Sequence, residues 1–343
     1  MNESITTFGL TFQQMRILFS LEYYITRKDA DAEEKFIDKI NFLAADHANK
    51  KLWLGNFEKE IINFMKETNS NEANECSLIK DTAELREAIL KEERNSDRDI
   101  WKYLVILECI LFNPYFPMTE EDIKNKTYKG LSLDDDIKHE SVNTIASWLD
   151  INHDQVKALR EAYESGIKKM TGYWNKVFIG IGAGVVAALL AVVTCGGSIA
   201  ALFAASGLYG AAAVSSGLAA LGGGAIAAGG FGMAGGMAVL IGGGVLLGTG
   251  AGASVSMALA ETNPSGVMNE CAKMYVVLKE IILGIQNDTL EAQQILSGVV
   301  DKVASLKKEI VELRIQQAKN KEKIKNLEKS IEYLEKFLTM FKK

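Results

Sequence analysis

"LGGGAIAAGGFGMAGGMAVLIGGGVLLG", residues 221–248, lies inside a block of 84 residues, 177–260, that contains no charged side chain. The block holds 22 of the chain's 30 glycines and none of its three prolines. About 20 apolar residues span the hydrocarbon core of a bilayer, and buried helices of soluble proteins are rarely apolar on every face for this long. The sequence therefore predicts a membrane-inserting region over residues 171–262, built of two to four helices.

The glycines of the block are interpreted as packing residues. Gly230, Gly232 and Gly235 spell G-x-G-x-x-G, but no strand pattern precedes them and the first acidic residue after them is Glu261. A dinucleotide site needs both features, so no nucleotide cofactor is predicted. Glycines four residues apart lie on one helical face and let two membrane helices approach closely. The predicted packing residues are Gly180, Gly184, Gly232, Gly236, Gly244, Gly248 and Gly252.

The most apolar span of the block, residues 177–193, is preceded by residues typical of a membrane interface. Aromatic side chains favour the headgroup region, and lysines extend their ammonium groups toward water. The predicted interfacial anchors are Tyr173, Trp174, Lys168, Lys169 and Lys176. Lysines also follow the block, at 273 and 279. With an even number of crossings, both flanking segments are predicted to lie in the cytoplasm.

The first part of the chain, residues 1–170, is predicted to be a soluble helical bundle. Apolar residues recur at helical spacing in "IWKYLVILECILF", residues 100–112. The acidic stretch "LDDDIKHE", residues 133–140, is interpreted as a solvated loop. "INHDQVKALREAYESG", residues 151–166, opens on an Asn/Asp-rich cap and is predicted to be a short helix that closes on Gly166.

The last part of the chain carries a heptad pattern. Apolar residues alternate at spacings of four and three from Leu278 to Phe341, which predicts one long coiled-coil helix over residues 267–343. Its partner is either a second copy of the chain or the chain's own amino-terminal helices. Polar Gln317 and Asn320 interrupt the pattern, either as residues that set the coiled-coil register or as a tolerated polar layer. The predicted fold class is all-α, with a helical bundle, central transmembrane hairpins and this coiled coil.

Composition excludes several classes of function. The net charge of −6 lacks the basic excess of a nucleic-acid interface. The three histidines and four cysteines stand apart without metal-ligand spacing, and no G-x-x-x-x-G-K-[ST], H-E-x-x-H or G-x-S-x-G motif is present. The sequence predicts no enzyme, no metal and no cofactor. The amino terminus has no signal-peptide pattern, so synthesis in the cytosol is expected.

Two family resemblances rest on the order of the helices. "IASWLDINHDQVKALREAYE", residues 145–164, closes an arrangement that resembles the small helical domain of TerB-like tellurite-resistance proteins. The order of a helical segment, a central hydrophobic hairpin and long helices resembles the α-helical pore-forming toxins of the haemolysin E type. The first resemblance implies a small helical domain, and the second implies insertion into a bilayer.

These patterns support three functional hypotheses. The leading one is a self-associating α-helical membrane protein that perturbs or permeabilises a bilayer as a defence or toxin effector. Its expected partners are the lipid bilayer, further copies bound through the carboxy-terminal heptads, and a regulatory protein at the amino-terminal domain. The alternatives are an exported pore-forming toxin component, secreted in soluble form and inserted later, and a non-enzymatic membrane scaffold or tether with a cytosolic sensor domain.

Overall fold

The secondary-structure elements in the described part of the computed structural model are all helical. The described residues are 10–34, 41–68, 76–96, 99–115, 122, 125–171 and 264–342. They contain no strand, which confirms the predicted all-α class. None of these helices is both long and apolar enough to span a membrane. The glycine-rich block lies outside the described residues, so the predicted transmembrane hairpins and packing glycines stay predictions.

The described residues form two compact units. The amino-terminal unit comprises residues 10–157, and the carboxy-terminal unit comprises residues 158–171 together with 264–342. The helices in the first part of the chain are α1 Phe12–Glu34, α2 Asn41–Thr68, α3 Thr82–Asn95, α4 Ile100–Leu111, α5 Asp135–Trp148 and α6 His153–Thr171. Helix α6 begins in the amino-terminal unit and ends in the carboxy-terminal unit.

Helix α1 is the centre of the amino-terminal unit and packs against α2, α3, α4 and α5. A helix covered on several sides needs apolar residues around most of its circumference. Phe19, Leu21 and Ile25 are accordingly fully buried on α1. Ser20 is one of its buried polar residues: its Oγ donates to a backbone carbonyl of α1 and accepts the Ile79 N–H at 2.9 Å. The helix therefore occupies the core without leaving this hydroxyl unsatisfied.

The acidic stretch at residues 133–140 is the start of α5, so its interpretation as a loop is wrong. The Asp134 carboxylate caps the helix by accepting the N–H groups of Asp136 and Ile137, each at 3.0 Å. Asp135 and Asp136 lie in the first turn, where the helix dipole favours negative charge. The acids are clustered because they begin a helix.

Helix α6 starts as predicted and ends later than predicted. Asn152 and Gln155 form a capping box, in which each side-chain oxygen accepts the other residue's N–H, at 2.9 and 3.1 Å. The helix continues through the buried Gly166 to Thr171. Gly166 therefore does not terminate the helix, and its missing side chain serves a contact described below.

The carboxy-terminal unit contains several helical segments where the sequence predicts one helix. They are α7 Pro264–Val276, a π-helical segment Val277–Ile285, α8 Thr289–Leu313, a 3-10 turn Arg314–Gln316 and α9 Gln317–Thr339. The prediction of one continuous coiled-coil helix is wrong. The first break has a local cause: Asn287 adopts a left-handed φ of 55°, and the Asp288 carboxylate then caps α8 by accepting the Glu291 N–H at 2.9 Å.

The second break folds α9 back onto α8. Lys307 pairs with Glu335 at 2.7 Å, and Arg314 pairs with Glu328 at 3.0 Å. In one continuous helix, Lys307 and Glu335 would lie about 42 Å apart. The two pairs run in opposite sequence directions, so α8 and α9 form an antiparallel hairpin. Its buried heptad residues are Val299, Val303, Leu306, Ile310, Ile324, Leu327, Ile331 and Leu334.

Candidate membrane-proximal site

Helix α6 leads into the glycine-rich block and α7 follows it, so their contact region is a candidate membrane-proximal site. Of the predicted anchors, Lys168 and Lys169 lie exposed in the last turn of α6. Tyr173, Trp174 and Lys176 lie outside the described residues, as do Gly180, Gly184, Gly232, Gly236, Gly244, Gly248 and Gly252.

Lys169 contacts α7 through Tyr275. Its Nζ donates to the Tyr275 hydroxyl at 2.6 Å and lies 4.5 Å from the centre of the ring. An ammonium group at this distance is attracted by the ring as well as by the hydroxyl. The lysine that the sequence assigned to a lipid interface therefore joins α6 to α7.

Gly166 lets the two backbones approach each other. A Cβ atom at this position would lie 3.3 Å from the Tyr275 ring and 3.4 Å from Ala272 Cα. A larger side chain would have to displace α7 backbone as well as side-chain atoms. Close helix packing on a small residue thus connects the helix before the block to the helix after it.

Helix α9 closes the same site from its last turns. Lys336 Nζ donates to the Met170 carbonyl at 2.9 Å, which satisfies one of the carbonyls that the end of α6 leaves without a helical partner. Phe341 lies 5.6 Å from the Tyr275 ring, and Phe337 is fully buried. The open end of the α8–α9 hairpin therefore holds both helices that flank the block.

These contacts bring the two flanks of the block close together. Thr171 is five residues beyond Gly166, and Pro264 is eight residues before Ala272. At 1.5 Å per residue, these segments measure about 8 and 12 Å, so Thr171 and Pro264 lie no more than about 25 Å apart. A bilayer's hydrocarbon core is about 30 Å thick. The two flanks of the block consequently lie closer together than the thickness of such a core.

We expect Gly166→Leu to destabilise the carboxy-terminal unit by about 1–3 kcal/mol, because the side chain would overpack the α6–α7 contact. The matched control is Gly55→Leu. Gly55 is also a helical glycine, but a Cβ there meets no atom within 4 Å. That control should be neutral or stabilising, since leucine favours helix over glycine. Thermal unfolding followed by circular dichroism checks both variants, and equal effects would contradict the close-approach role of Gly166.

The two predicted register residues lie at the turn of the hairpin. Gln317 is exposed at the start of α9. Asn320 is half-buried, and its Nδ2 donates to the Leu313 carbonyl at 3.1 Å. This bond satisfies a carbonyl at the end of α8. Within the hairpin, the polar interruption of the heptads coincides with the place where the chain reverses.

A buried polar network in the amino-terminal unit was not predicted from the sequence. Asp29 is 1% exposed, and its Oδ2 accepts from Lys50 Nζ at 2.8 Å and from the Tyr115 hydroxyl. Its Oδ1 accepts the Asp134 N–H at 2.9 Å. Lys50 is 4% exposed and lies 5.1 Å from the centre of the Tyr115 ring. The network ties α1 and α2 to the segment after α4 and to the start of α5.

Helical periodicity contained a signal for this network. Lys50 precedes Trp53, Leu54 and Phe57 at spacings of three, four and seven, and all three are buried. Asp29 follows Ile25 at the same helical spacing of four. A charged residue on an apolar stripe needs a buried partner, although the sequence does not say which one. Chemically, the Asp29 carboxylate accepts three hydrogen bonds and so holds these elements together.

The cysteines in the described part of the chain lie in the protein interior. Cys76, Cys109 and Cys271 are buried thiols that take part in no disulfide. Burial raises the pKa of the Cys109 thiol well above its ordinary value, and the neighbouring Glu22 and Glu108 carboxylates raise it further. A thiol that stays protonated is a poor nucleophile.

The described histidines make local contacts. His47 Nδ1 lies 2.9 Å from the Ala30 carbonyl, and the rings of His139 and His153 meet edge to face with centres 6.0 Å apart. In the part of the chain that the structure describes, no group of three or more His, Cys, Asp or Glu side chains could hold a metal ion.

Comparison with known protein families, curated proteins and solved structures finds no match for this chain. The resemblances to TerB-like domains and to haemolysin E type toxins therefore stay predictions from the order of the helices.

Proposed function

We propose that the protein is a non-enzymatic, self-associating α-helical protein that inserts residues 177–260 into a lipid bilayer and permeabilises it as an effector. The main support for this proposal combines the sequence of the block with the packing of its flanking helices. The block contains no charge, and the helices that flank it pack together through Gly166 and Lys169. Because both flanks of the block belong to the same compact unit, the block enters the membrane and leaves it on the same side.

An even number of crossings, two or four, satisfies this condition. The block length allows about 21 residues for each of four crossings, or two crossings with longer interfacial segments. Both helical units then stay on the side of synthesis, the cytoplasm. The amino-terminal unit, with its net negative sequence, is free to restrain the block or to bind a regulatory protein.

Self-association is proposed for the glycine-rich block. The sequence assigned it to the carboxy-terminal heptads, but in the described hairpin these heptads bury their apolar stripe within one chain. Glycines at a spacing of four in the block offer flat helical faces, on which membrane helices pack by close backbone contact. Such faces can join copies of the block in the bilayer.

Insertion is tested with the full chain and the variant Val185→Arg, which places a charge at the middle of the span 177–193. Such a charge costs about 2.5–3.5 kcal/mol of insertion free energy, so the variant should lose most of its membrane-inserted fraction. The matched control is Asn175→Arg, which adds the same charge at the polar flank. Carbonate extraction measures insertion, and dye release from vesicles measures permeabilisation.

We expect wild type and Asn175→Arg to resist carbonate extraction and to release dye, and Val185→Arg to do neither. Extraction of the wild-type chain by carbonate would overturn insertion. Retention of the wild-type chain without dye release would overturn permeabilisation and favour a scaffold or tether.

A further inference from the structure

The tip of the α8–α9 hairpin concentrates the positive charge of the carboxy-terminal helices. We define the hairpin tip as residues 311–325. It contains five basic residues, Arg314, Lys319, Lys321, Lys323 and Lys325, against two acidic ones, Glu312 and Glu322. The parts of the hairpin on either side, residues 289–310 and 326–342, each contain equal numbers of basic and acidic residues. The net charge of +3 therefore belongs to the tip.

Three of the tip's four lysines are available for an external partner. Along the shaft of the hairpin, Lys307 pairs with Glu335, and Lys329 and Lys336 both pair with Glu332. At the tip, by contrast, Lys319, Lys321 and Lys325 make no ion pair or hydrogen bond with the described residues. All three are exposed.

The tip also exposes aliphatic side chains to water. Ile315, in the 3-10 turn, is 84% exposed, the largest value among the exposed large hydrophobic residues of the described chain, and Val311 is 65% exposed. Of the fifteen tip residues, Ile324 alone is buried. Exposed aliphatic side chains and unpaired lysines in one short segment match the interface of a bilayer, where acyl chains lie beneath anionic headgroups.

We propose that the hairpin tip docks on a bilayer surface rich in anionic lipid. Lys319, Lys321 and Lys325 contact the headgroups, and Ile315 enters the acyl boundary. A nucleic acid could pair its phosphates with the tip's positive charge, but it would leave Ile315 and Val311 without apolar contact. The chain's net charge of −6 would also repel the phosphates. Docking by the tip does not depend on insertion of the glycine-rich block.

The tip and the candidate membrane-proximal site lie at opposite ends of α9. Lys336, which contacts Met170, is 19 residues from Gln317, or about 28 Å along the helix. Insertion of the block alone therefore does not bring Ile315 into lipid, and a probe at position 315 reports on the tip itself. This separation makes the two proposals distinguishable in one sample.

The test uses the full chain with Ile315→Cys carrying an environment-sensitive fluorophore. The matched probe is at Val300→Cys, because Val300 is an exposed aliphatic residue on the shaft, 52% exposed. Vesicles contain either phosphatidylcholine alone or phosphatidylcholine with 30% phosphatidylglycerol, and they enclose a dye. Background labelling is measured on the chain without an added cysteine.

We expect the probe at 315 to brighten and shift to the blue with anionic vesicles only, and to lose this response in 0.5 M salt. The probe at 300 should not respond. Lys319→Gln, Lys321→Gln and Lys325→Gln together should raise the half-saturating lipid concentration about a hundredfold. The control variant Lys307→Gln, Lys308→Gln and Lys329→Gln loses the same charge from the shaft and should bind like wild type.

An absent response at 315, an equal response with neutral vesicles, or equal weakening by both triple variants would overturn tip docking. Salt-sensitive self-association without vesicles that the tip variant abolishes would assign the tip to a second copy, and would also overturn it. Dye release without a response at 315 overturns tip docking and leaves permeabilisation standing. A response at 315 without dye release supports tip docking and overturns permeabilisation.

Discussion

Lys50→Met is expected to destabilise the amino-terminal unit by about 3–5 kcal/mol, because it leaves the Asp29 carboxylate buried without its cation. Asp29 is 1% exposed, so water cannot replace the ammonium group. The Tyr115 hydroxyl and the Asp134 N–H still donate to it, but neither carries a compensating charge. Denaturant unfolding followed by tryptophan fluorescence measures the loss, since three of the chain's four tryptophans lie in this unit.

The neighbouring residue provides the matched control. Lys51 pairs with Asp31, and both side chains of this pair are more than a third exposed. Lys51→Met makes the same substitution one residue later and should cost about 0–1 kcal/mol, because solvent screens an exposed pair. Adding Asp29→Asn to Lys50→Met removes the uncompensated charge and should recover part of the stability. Equal losses in Lys50→Met and Lys51→Met would show that the buried pair is not critical.

Spin labels at positions 307 and 335 are expected to lie within about 20 Å of each other, because the hairpin places these residues side by side. A continuous helix would separate them by about 42 Å. Removing this exposed ion pair should barely affect stability. Pulsed electron paramagnetic resonance measures the distance, with labels at positions 300 and 311 of α8, about 16 Å apart along one helix, as the internal standard.

Dilution of the labelled chain with excess unlabelled chain separates the hairpin from an assembly of several chains. A short distance that survives dilution comes from within one molecule. A short distance that disappears on dilution would contradict the intramolecular hairpin and restore the heptads as an interface between copies. A distance near 42 Å would restore the continuous helix.

The heptad pattern predicted which positions are buried, but not that they pair within a hairpin of one chain. Apolar residues that repeat every 3.5 positions must pack against a matching apolar face of another helix. A second chain can supply that helix, and so can the same chain folded back on itself. The sequence nevertheless marked both breaks. Asn287 and Asp288 carry a left-handed stop and a helix cap, and Gln317 and Asn320 are polar where the chain turns. The heptad pattern does not include these local signals, and it therefore predicts one helix where the chain forms several.

The candidate site was only partly predictable. Charge and position singled out Lys168 and Lys169 beside the apolar block, but nothing local pointed to Tyr275, which lies 106 residues after Lys169. Gly166 resembled a helix terminator because glycine commonly follows the last turn. Its actual role depends on Ala272, whose approach leaves no room for a side chain. The Asp29–Lys50 pair was similarly hidden, since each partner appears alone on its own helix.

The sequence by itself determined the helical class, the helix caps and the segregation of charge, because these depend on residues within a few positions of one another. It also isolated the 84 uncharged residues on which the proposed membrane function rests. Only the tertiary structure decided which surfaces meet: α9 folds onto α8, Lys169 reaches Tyr275, and the flanks of the block belong to one unit. The hydrophobic effect is not directional, so one apolar pattern on a helix can be buried against many different surfaces. Packing between residues far apart in the sequence selects which surface is used.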